Sequence, residues 1–570
     1  MQLVIERRTC AGAEVLDASL HPVLRRAYAA RGVRDGNDLT LSLDRLMPVG
    51  SLDGVAAAVD IILAHRERRI LVVGDFDADG ATSTALIVRC LRAWGFASVD
   101  FLVPNRFEFG YGLTPEIVGL AAGRSPSLIV TVDNGISSHA GVAAARERGI
   151  QVLVTDHHLP GATLPEADVI VNPNVPGSRF GSRALAGVGV AFYVMAALRR
   201  ALDAAGRVVM PPVTDFLDLV ALGTVADLVP LDVNNRVLVS QGIRRIRAGR
   251  AVPGIRALLA IGNRAMSSVT AADLGFTIGP RLNAAGRLDD MSIGIRCLLA
   301  DTDSEALALA TRLDQLNSER REIEARMQGA ALAAVSRLRD YDGSGPARHG
   351  VCLFDAEWHQ GVVGLVASRI KDRIRRPVIA FARAGDGLLR GSARSVAGVH
   401  IRDVLDGIAA RQPTLISRFG GHAMAAGLTL EEKLLDEFAR AFDEEVTRWR
   451  DPGTPSNRVE TDGELTSEEI ALETAQALRE GGPWGQAFPE PCFDGVFAVK
   501  NARVIGDKHL KMWVTSGDGA RSFDAIAFNF KGADEQAALP DGEVRLVYRL
   551  DVNEYNGERR LQLLVDHLLP

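Results

Sequence analysis

The strongest constraint on the fold is the alternation of apolar runs and Ala-rich amphipathic segments between Ile70 and Asp232. This alternation is typical of β-α-β units around a parallel sheet. The runs are continuously apolar, which predicts strands covered on both faces of the sheet. We predict strands at Ile70–Gly74, Val99–Val103, Leu128–Val132, Val152–Thr155 and Val169–Val171, with helices at Thr82–Trp94 and His139–Arg148.

A long helix separates this region from the rest of the chain. Apolar residues recur at helical spacing from Ser304, the predicted N-cap, to about Leu338. At 1.5 Å per residue the helix is about 50 Å long, which suits a connection between domains. A Gly- and Pro-rich stretch, residues 341–350, then precedes a second α/β region, Val351 to about Arg450.

The C-terminal residues change to alternating β runs with a turn signal at Asn556-Gly557, which predicts a small antiparallel barrel. The predicted runs are Lys511–Val514, Phe523–Phe530, Val544–Asp551 and Leu561–Val565. The predicted domains are an N-terminal segment (1–65), a parallel-sheet domain (66–300), a connecting helix (301–345), a second α/β domain (346–452) and a barrel-containing domain (453–570).

Length, charge and cysteine usage exclude several classes of protein. A chain of 570 residues is too long for one hydrophobic core. The 65 Lys and Arg residues against 71 Asp and Glu residues give a net charge of −6, so coating of nucleic acid through a global positive field is not expected.

Five widely spaced cysteines fit a reducing cytoplasm. The N-terminus does not resemble a signal peptide. The longest apolar run, Ala184–Leu198, is too short for a membrane span of about 20 residues and predicts a buried helix.

Acidic and imidazole side chains follow three of the predicted strands. They are Asp75, Asp77 and Asp79 after the first strand, Asp133 after the third, and Asp156, His157 and His158 after the fourth. The carboxyl ends of parallel strands meet at one edge of the sheet, where ligands bind in open α/β folds. A further ligand is expected from the sequence GTVAD, which ends at Asp227 where a helix gives way to a loop.

We predict that these side chains bind divalent metal. Carboxylates gathered within a few ångströms raise one another's pKa unless a cation compensates their charge. Carboxylate and imidazole ligands together suit Mn²⁺, whereas oxygen ligands alone favour Mg²⁺ or Ca²⁺. The ligands suffice for two ions about 3.5 to 4 Å apart, the spacing used in phosphoester hydrolysis.

Each motif also has an ordinary structural alternative when taken alone. An Asp after a strand is often a helix cap or turn residue. The DxDxDG spacing also occurs in calcium-binding loops, but the later Glu of an EF-hand is absent. Adjacent histidines are commonly surface or core residues. Their coincidence at successive strand ends favours the metal site.

The motifs GDFDADG, VDNG, DHH and GTVAD, in this order, resemble the four motifs of the DHH phosphoesterases. Within that superfamily, about residues 40–570 are similar to the bacterial exonucleases specific for single-stranded DNA. The resemblance implies a DHH domain, a long helix, a second α/β domain of the DHHA1 type and a C-terminal OB-fold barrel. It assigns two Mn²⁺ or Mg²⁺ ions to Asp75, Asp77, Asp79, Asp133, His157 and Asp227.

Two loops of the second α/β region resemble the substrate-binding signature of the domain that accompanies DHH domains. The loop LRGSARS contains Ser392 and Arg394, and a hydroxyl beside a forked guanidinium suits a phosphate. The loop FGGHAMAAG contains Gly420, Gly421 and His422, which allow close backbone approach beside an imidazole. A surface Arg and a C-capping Gly pair are the structural alternatives.

Further substrate-binding residues follow from the resemblance alone. It implies that Arg281, Gln315, Ser392 and Arg394 contact the 5′-terminal phosphate or nearby backbone, and that Arg106 helps to close the entry. Asn283 and Arg287 lie with Arg281 in GPRLNAAGR, which predicts a glycine turn between two arginines, and His359 lies in WHQGVVG, which opens a buried helix. Gln315 depends on its helical position only, where an exposed polar residue is equally expected.

The barrel resembles an OB-fold, which binds single strands by stacking bases on aromatic side chains over a basic groove. The interleaved candidates are Lys508, Lys511, Trp513, Arg521, Phe528 and Lys531. Since alternation places every second strand residue in the barrel core, no base contact is assigned. The segment PWGQAFPEP, residues 483–491, resembles the one that leads into the barrel in these exonucleases.

A mechanism follows in which bound ions activate a water and stabilise the leaving oxygen. His158, beside Asp156, donates a proton to a phosphoryl oxygen or to the departing group. A 5′-phosphate pocket beyond the ions gives 5′→3′ polarity and 5′-mononucleotide products. The implied substrate is single-stranded DNA with a 5′ end, and the implied partners in recombination and repair are single-strand-binding protein and a helicase. Two alternatives stay open: a phosphatase for small substrates, and a catalytically inactive scaffold that binds single strands.

Overall fold

The N-terminal segment supplies one short strand and two helices, β1 (Val4–Arg7), α1 (Pro22–Ala29) and α2 (Val55–Ala64). The computed structural model describes residues 3–105, 108–109, 111–207, 210–336, 348–449, 458–506, 508–528, 530, 539–555 and 558–569. Arg106, Lys531 and the predicted Asn556-Gly557 turn lie outside these residues.

A five-stranded parallel sheet follows, as predicted. Its strands are β2 (Arg69–Gly74), β3 (Ser98–Leu102), β4 (Leu128–Val132), β5 (Gln151–Thr155) and β6 (Val169–Val171), in the order β3-β2-β4-β5-β6. The connecting helices are α3 (Ala78–Ala93), α4 (Pro115–Ala122) and α5 (His139–Glu147). Alternate residues of β2 enter two separate apolar clusters, so both faces of the sheet are covered. The strand predictions are confirmed to within one residue at each end.

Helix α3 begins at Ala78, before the predicted start at Thr82. Asp77 is its N-cap, because Asp77 Oδ1 accepts hydrogen bonds from the backbone N–H groups of Asp79 at 2.9 Å and Gly80 at 3.0 Å. A carboxylate that satisfies free N–H groups favours an early helix start. Asp79 therefore lies in the first turn of the helix.

The chain continues through a mostly helical region that packs on this sheet. Its helices are α6 (Gly187–Ala204), α7 (Leu217–Ala226), α8 (Val233–Arg247), α9 (Pro253–Ile261), α10 (Ala271–Asp273), α11 (Gly279–Leu288) and α12 (Ser292–Leu299), with a π-helical turn at Leu274–Ile278. The apolar run Ala184–Leu198 lies largely in α6, where most of its side chains are buried. The glycine turn predicted for GPRLNAAGR is wrong, because these residues form α11. Gly286 serves close packing there, since a Cβ atom would collide with the backbone oxygen of Phe76.

Helix α13 (Asp303–Ser336) confirms the long connecting helix, and its 34 residues span about 50 Å. The predicted N-cap at Ser304 is wrong, because the helix begins one residue earlier, at Asp303. Thr302 Oγ1 accepts a hydrogen bond from the backbone N–H of Glu305 at 3.3 Å, and this hydroxyl takes the capping role.

The second α/β domain contains a mixed five-stranded sheet. Its elements are β7 (Val351–Phe354), α14 (Val363–Ile374), β8 (Val378–Arg383), β9 (Leu388–Arg394), α15 (Ile401–Arg411), β10 (Arg418–Gly421), β11 (Ala425–Glu431) and α16 (Leu435–Trp449). The strand order is β10-β11-β9-β8-β7, with β7 and β8 parallel and the other pairs antiparallel. The loop predicted for FGGHAMAAG is instead the β10–β11 hairpin, in which Gly420 pairs with Gly427.

The C-terminal region forms a closed barrel. Its elements are β12 (Arg458–Thr461), α17 (Leu472–Glu480), β13 (Phe493–Ile505), β14 (His509–Ser516), β15 (Ser522–Ala527), β16 (Gly542–Tyr555) and β17 (Glu558–Leu569). The sequence prediction missed β13 and extended β15 too far, since β15 ends at Ala527. The barrel is also not fully antiparallel, because β15 pairs in parallel with β17. An odd number of strands in a closed ring requires at least one parallel pair.

The N-terminal segment fastens the barrel region to the parallel-sheet domain. Strand β1 pairs in parallel with β12. Arg31 donates from Nη1 and Nη2 to both carboxylate oxygens of Asp462, at 2.7 and 2.9 Å, and the two side chains are 1% and 2% exposed. Towards the parallel-sheet domain, the backbone N–H of Met47 donates to Asn234 Oδ1 at 3.0 Å. This segment therefore contacts both regions, and the backbone N–H of Leu231 also joins them directly by donating to the backbone oxygen of Gln486 at 2.8 Å.

Within the described ranges, no single helix has the length and apolar composition to cross a membrane. One pair, Leu43–Ser51 with Val55–Ala64, passes by length and composition only, and it is bent by 74°.

Replacement of Arg31 should loosen the attachment of the barrel. Arg31→Met leaves the buried Asp462 carboxylate without its bidentate partner, and breaking a buried pair costs about 3 to 5 kcal/mol. We expect faster backbone hydrogen exchange in β12 and β13 and a lower melting temperature, whereas Arg34→Met, at an exposed arginine of the same segment, should change neither. Unchanged exchange in Arg31→Met would contradict the fastening role.

Candidate active site

Three acidic residues follow neighbouring strands at one edge of the parallel sheet. Asp75, Asp133 and Asp156 come directly after β2, β4 and β5, which are adjacent in the sheet order. The last residues of these strands are in register, since Gly74 pairs with Val132 and Val132 pairs with Thr155. Strand register therefore brings the three carboxylates together.

His157 lies at the centre of the acidic group. Its Nε2 atom is 3.0 Å from Asp133 Oδ1, 3.5 Å from Asp227 Oδ2 and 3.9 Å from Asp79 Oδ2. Asp227 comes from the C-terminal end of α7, as the GTVAD motif predicted. Four separate segments of the chain thus deliver side chains to one place.

The predicted metal ligands form two groups that share no residue. Asp75, Asp77 and Asp133 make up one group, and Asp79, His157 and Asp227 the other, with the ligand atoms of each within 4.8 Å of one another. A third group, Asp133 with His157 and His158, joins them. The two separate groups together contain all six predicted ligands.

Two buried atoms at the junction make no hydrogen bond with any described part of the chain. Asp133 Oδ1 and His157 Nε2 lie side by side, yet neither has a hydrogen-bond partner of acceptable geometry. Buried polar atoms are almost always satisfied, so such a pair needs another partner. A carboxylate oxygen and a neutral imidazole nitrogen are ligands for Mn²⁺ and similar ions, and the residues present therefore fit divalent metal.

Burial and mutual repulsion shift the pKa values of the acidic group upwards. The pKa values of Asp133 and Asp227 are raised well above their usual range by burial and then by the neighbouring carboxylates. Burial and the charge of Asp77 raise the pKa of Asp79 to about 7. Burial, with the charge of His158, lowers the pKa of His157 to about 4, so its imidazole is neutral and able to bind metal.

Helix α6 and two glycines allow the carboxylates to approach so closely. The backbone N–H groups of Gly187 and Val188, at the start of α6, donate to Asp79 Oδ2 at 2.6 Å and Oδ1 at 2.9 Å. A Cβ atom at Gly187 would collide with Asp133, and one at Gly223 would collide with Thr82 and Asp79. The helix N-terminus stabilises negative charge at Asp79, and the glycines make room for it.

His158 is held differently from His157. Its Nδ1 atom is 2.8 Å from Asp156 Oδ1, and three backbone N–H groups, those of Ile136, His157 and His158, donate to the Asp156 carboxylate. Burial lowers the pKa of His158, but the hydrogen bond and charge of Asp156 outweigh it and raise the pKa to about 9. His158 is therefore a protonated imidazole beside the metal ligands.

Three residues that the sequence analysis missed surround the two histidines. Asn172 and Asn174 donate to the backbone oxygens of His158 at 2.9 Å and His157 at 2.6 Å. Tyr111 places its hydroxyl 3.2 Å from His158 Nδ1. The two Asn residues directly follow a predicted strand, a signal that could have identified them, whereas Tyr111 lies in a loop between elements.

The second α/β domain reaches this site through the β10–β11 hairpin. The ring of His422, at the hairpin tip, lies 6.3 Å from the ring of His158, with an angle of 17° between their planes. Gly420 and Gly421 are strand residues of β10 next to it. The structure therefore brings His422 into the site, although it comes from a separate domain.

Ser392 and Arg394 lie together on one face of β9. Arg394 Nη1 donates to Ser392 Oγ at 3.0 Å, and a Cβ atom at Gly364 would come within 2.9 Å of both side chains. Gly364 is in the first turn of α14, so a helix N-terminus, a hydroxyl and a guanidinium converge. Backbone N–H groups at such a helix end favour an anion. His359, just before α14, accepts a hydrogen bond from the backbone N–H of Gly361 at 3.1 Å.

The remaining predicted substrate residues differ in their placement. Arg281 is buried, with Nε donating to Asp314 at 2.8 Å and Nη1 donating to the backbone oxygen of Thr277 at 2.6 Å. Arg287 Nη1 donates to the backbone oxygen of Gly361 at 3.2 Å, which links α11 to the second domain. Gln315 is exposed on α13.

Asn283 contacts the DxDxDG turn, which carries three of the predicted metal ligands. Its Oδ1 atom accepts a hydrogen bond from the backbone N–H of Ala78 at 2.8 Å. Ala78 lies between Asp77 and Asp79, so Asn283 holds the DxDxDG segment in place. Its side-chain oxygen is directed at the protein backbone rather than at a substrate.

The barrel candidates lie mostly on the surface. Trp513 is 50% exposed and Phe528 is 57% exposed, although large aromatic side chains are usually buried. Lys508 and Arg521 are exposed, and Lys511 Nζ is 3.1 Å from Asp524 Oδ2. Two exposed aromatic rings among basic residues are the features that a single-strand-binding surface requires.

Three family models match separate parts of the chain. The model described as DHH family, N-terminal domain, matches residues 69–224; the DHHA1 domain matches residues 348–448; and the RecJ OB domain matches residues 461–567.

Relatives align along the whole chain. The single-stranded-DNA-specific exonuclease RecJ of Salmonella typhimurium is 53% identical over 579 residues, covering 100% of this chain and 99% of the relative. The protein of that name from Escherichia coli is 52% identical with the same coverage. The crystal structure of RecJ from Thermus thermophilus in complex with Mn²⁺ is 31% identical with a TM-score of 0.81, covering 100% of this chain and 79% of that one. The structure of exonuclease RecJ bound to manganese is 35% identical with a TM-score of 0.60, covering 71% and 97%.

The acidic group predicts a pH-dependent stability that metal removes. The pKa of Asp79 rises from the ordinary 3.8 to about 7, so the folded protein binds more protons than the unfolded chain across that range. The free energy of unfolding of the metal-free protein should then fall as pH rises from about 4 to about 7. The lowered pKa of His157 has a smaller effect in the opposite direction. The test is to measure the melting temperature as a function of pH in chelator and in Mn²⁺. Bound Mn²⁺ should make the melting temperature depend less on pH. A level or rising metal-free curve would count against the clustered site.

Proposed function

Since this chain belongs to the RecJ family of single-stranded-DNA-specific exonucleases, we propose that it removes 5′-mononucleotides from the 5′ end of single-stranded DNA. It is a metal-dependent exonuclease of DHH type, with Mn²⁺ or Mg²⁺ as its ions. The observation that carries the proposal is the pair of three-residue ligand groups at the carboxyl edge of the parallel sheet.

The site residues supply a binding cage for two cations. Two divalent ions bound there would activate a water and neutralise charge on the scissile phosphate. Asp75, Asp77 and Asp133 would hold one ion, and Asp79, His157 and Asp227 the other. The raised carboxylate pKa values support this assignment, because a dication favours the ionised form that repulsion otherwise opposes.

His158 is proposed as the proton donor. Its Nδ1–H is held by Asp156, which leaves Nε2 as the proton-bearing atom for a phosphoryl oxygen or the departing oxygen. With its pKa raised to about 9, the imidazole is protonated at neutral pH and can donate. Asp156 receives three backbone hydrogen bonds and serves to orient the ring.

The polarity is proposed to come from a 5′-phosphate pocket at Ser392, Arg394 and the start of α14. A guanidinium beside a hydroxyl and the positive end of a helix dipole binds a terminal phosphate more tightly than a diester or a hydroxyl end. Arg281 keeps further N–H donors besides those bound to Asp314 and Thr277, since a guanidinium has five. A phosphate bound there would leave the first phosphodiester as the bond nearest to the proposed ions.

The barrel is proposed to bind the strand beyond the active site. Trp513 and Phe528 offer exposed rings for stacking, with Lys508 and Arg521 available for phosphate contacts. The proposed setting is DNA recombination and repair in the cytoplasm, with single-strand-binding protein and a helicase as partners. The domain boundaries at residues 65, 300, 345 and 452 belong to the same proposal, which the separate family matches support.

The activity can be tested on single strands labelled at the 5′ or the 3′ end. We expect the 5′ label to appear as a mononucleotide from the first time point, the 3′ label to shorten gradually, and chelator to stop both. Asp133→Ala should lower hydrolysis by more than about a hundredfold with strand binding retained, because it removes a metal ligand and no proposed phosphate contact. Asp60→Ala, at an exposed acid of α2, is the matched control.

Activity confined to a dinucleotide would replace the exonuclease assignment by that of a small-substrate phosphatase. Strand binding without hydrolysis under any metal would indicate an inactive scaffold. Undiminished hydrolysis by Asp133→Ala would refute the metal site as assigned.

Arg394→Gln should weaken selection of the phosphorylated end. Hydrogen bonds to charged groups contribute about 1.5 to 3 kcal/mol, so KM for a 5′-phosphorylated strand should rise about tenfold to a hundredfold. KM for a 5′-hydroxyl strand should stay nearly constant, since the missing charge pair is not made there. Arg383→Gln removes an exposed arginine of β8 that pairs with Glu432 and is the control. Equal effects on both strands would contradict a phosphate pocket.

A further inference from the structure

We propose that Tyr111 is a positioning residue for hydrolysis and that it acts through the ring of His158. Tyr111 lies in the segment between β3 and α4, outside all four motifs of the metal site. The inference rests on the proposed exonuclease function, because it concerns the group that donates the proton.

Tyr111 contacts three of the four motifs at once. Its hydroxyl donates to the backbone oxygen of Asp133 at 3.2 Å and lies 3.2 Å from His158 Nδ1 and 3.5 Å from Nε2. Its ring meets the ring of Phe76, in the DxDxDG segment, edge to face at 6.1 Å and 78°. One side chain therefore ties together the ends of β2, β4 and β5.

The ring of His158 needs more than one restraint to present Nε2 in a fixed direction. Asp156 holds the ring at Nδ1 only, at 2.8 Å, and a ring anchored at one atom can still tilt about that contact. Tyr111 packs against it at 5.8 Å between ring centres and 76° between planes, while His422 lies nearly parallel to it from the second domain. Together these contacts define the plane of the imidazole.

The contact with Asp133 fixes the position of the Tyr111 hydroxyl. Asp133 adopts a left-handed backbone conformation with a φ angle of 60°, which is uncommon for residues other than glycine. In this conformation its carbonyl oxygen accepts the hydrogen bond from Tyr111, and the hydroxyl lies 3.2 Å from His158 Nδ1. The effect of the hydroxyl on hydrolysis is therefore expected to act through His158.

The exposure of Tyr111 argues against a packing role. Tyr111 is 49% exposed, whereas Tyr193, which fills the core between α6 and the N-terminal segment, is 0% exposed. A half-exposed ring adds little to the hydrophobic core. Its described contacts lie at the site, so its contribution should be to catalysis rather than to stability.

Removal of the hydroxyl in Tyr111→Phe should lower kcat on 5′-phosphorylated single strands about tenfold and leave KM within about twofold. The ring and its contact with Phe76 remain, and only the hydrogen-bonding atom is lost. The matched control is Tyr193→Phe, which removes a buried hydroxyl that donates to Asn234 Oδ1 at 2.8 Å and contacts none of the predicted metal ligands. The control should lower the melting temperature and leave kcat unchanged. Tyr111→Phe should lower kcat and leave the melting temperature unchanged.

A double-mutant cycle with His158→Asn separates positioning from a general structural effect. If Tyr111 acts through His158, Tyr111→Phe should cost less than about twofold in the His158→Asn background, measured in single turnover. A tenfold loss in both backgrounds, or an unchanged kcat in Tyr111→Phe alone, would overturn the inference. Failure of the proposed function is distinguishable, because the unmodified protein would then release no mononucleotide in the same assay.

Discussion

Repulsion among buried carboxylates is the constraint on which this structure depends. Asp79, Asp133 and Asp227 lie around one imidazole in a site from which water is largely excluded, and their pKa values rise accordingly. A fold does not gather such groups for its own stability, since each costs free energy when ionised without a partner. The rest of the fold makes the arrangement possible: register aligns three strand ends, the start of α6 donates to Asp79, and glycine allows close approach at Gly223. The arrangement of the acidic group therefore favours the binding of cations.

Among the described residues, all six predicted ligands come from the parallel-sheet domain. The second α/β domain reaches His158 through the hairpin that carries His422, and α11 contacts it through Arg287 and Gly361. The barrel is fixed from the opposite end of the chain, because Arg31 and β1 in the N-terminal segment bind residues that precede it. Direct contacts add to this attachment, since the backbone N–H of Leu231 donates to the backbone oxygen of Gln486 at 2.8 Å. The predicted ligands thus come from one domain, whereas the relative position of the domains depends on contacts between distant parts of the sequence.

The features predicted best from the sequence are those that depend on the local pattern of residues. Continuous apolar runs located the parallel strands to within one residue, and five of the six predicted ligands were found as acids or a histidine that follow those strands, while Asp227 comes from the end of α7. The prediction was poorer for segments whose conformation depends on the residues packed against them. GPRLNAAGR has two glycines and a proline and suggested a turn, yet it is helical: Pro280 lies in the first turn, where a helix tolerates proline, and Gly286 allows close approach to the backbone of Phe76. Strand β13 was missed because Asp494, Gly495 and Asn501 are uncommon residue types in strands and a bulge after Val499 interrupts its alternation. Asn283 has a polar side chain in a conspicuous motif, but its oxygen binds the backbone of Ala78, which only the structure reveals.

The two adjacent histidines show most clearly why a motif does not determine a role. Both follow β5, and only the family resemblance, not their position in the sequence, assigned metal binding to His157 and proton donation to His158. Burial and the neighbouring positive charge lower the pKa of His157 to about 4, while Asp156 raises that of His158 to about 9. The difference arises because backbone N–H groups hold Asp156 ionised at the Nδ1 side of His158, whereas His157 turns Nε2 towards carboxylates whose pKa values are raised. A neutral imidazole can bind a cation and a protonated one can give up a proton. The difference between the roles proposed for the two residues therefore follows from the hydrogen bonds of a third, Asp156.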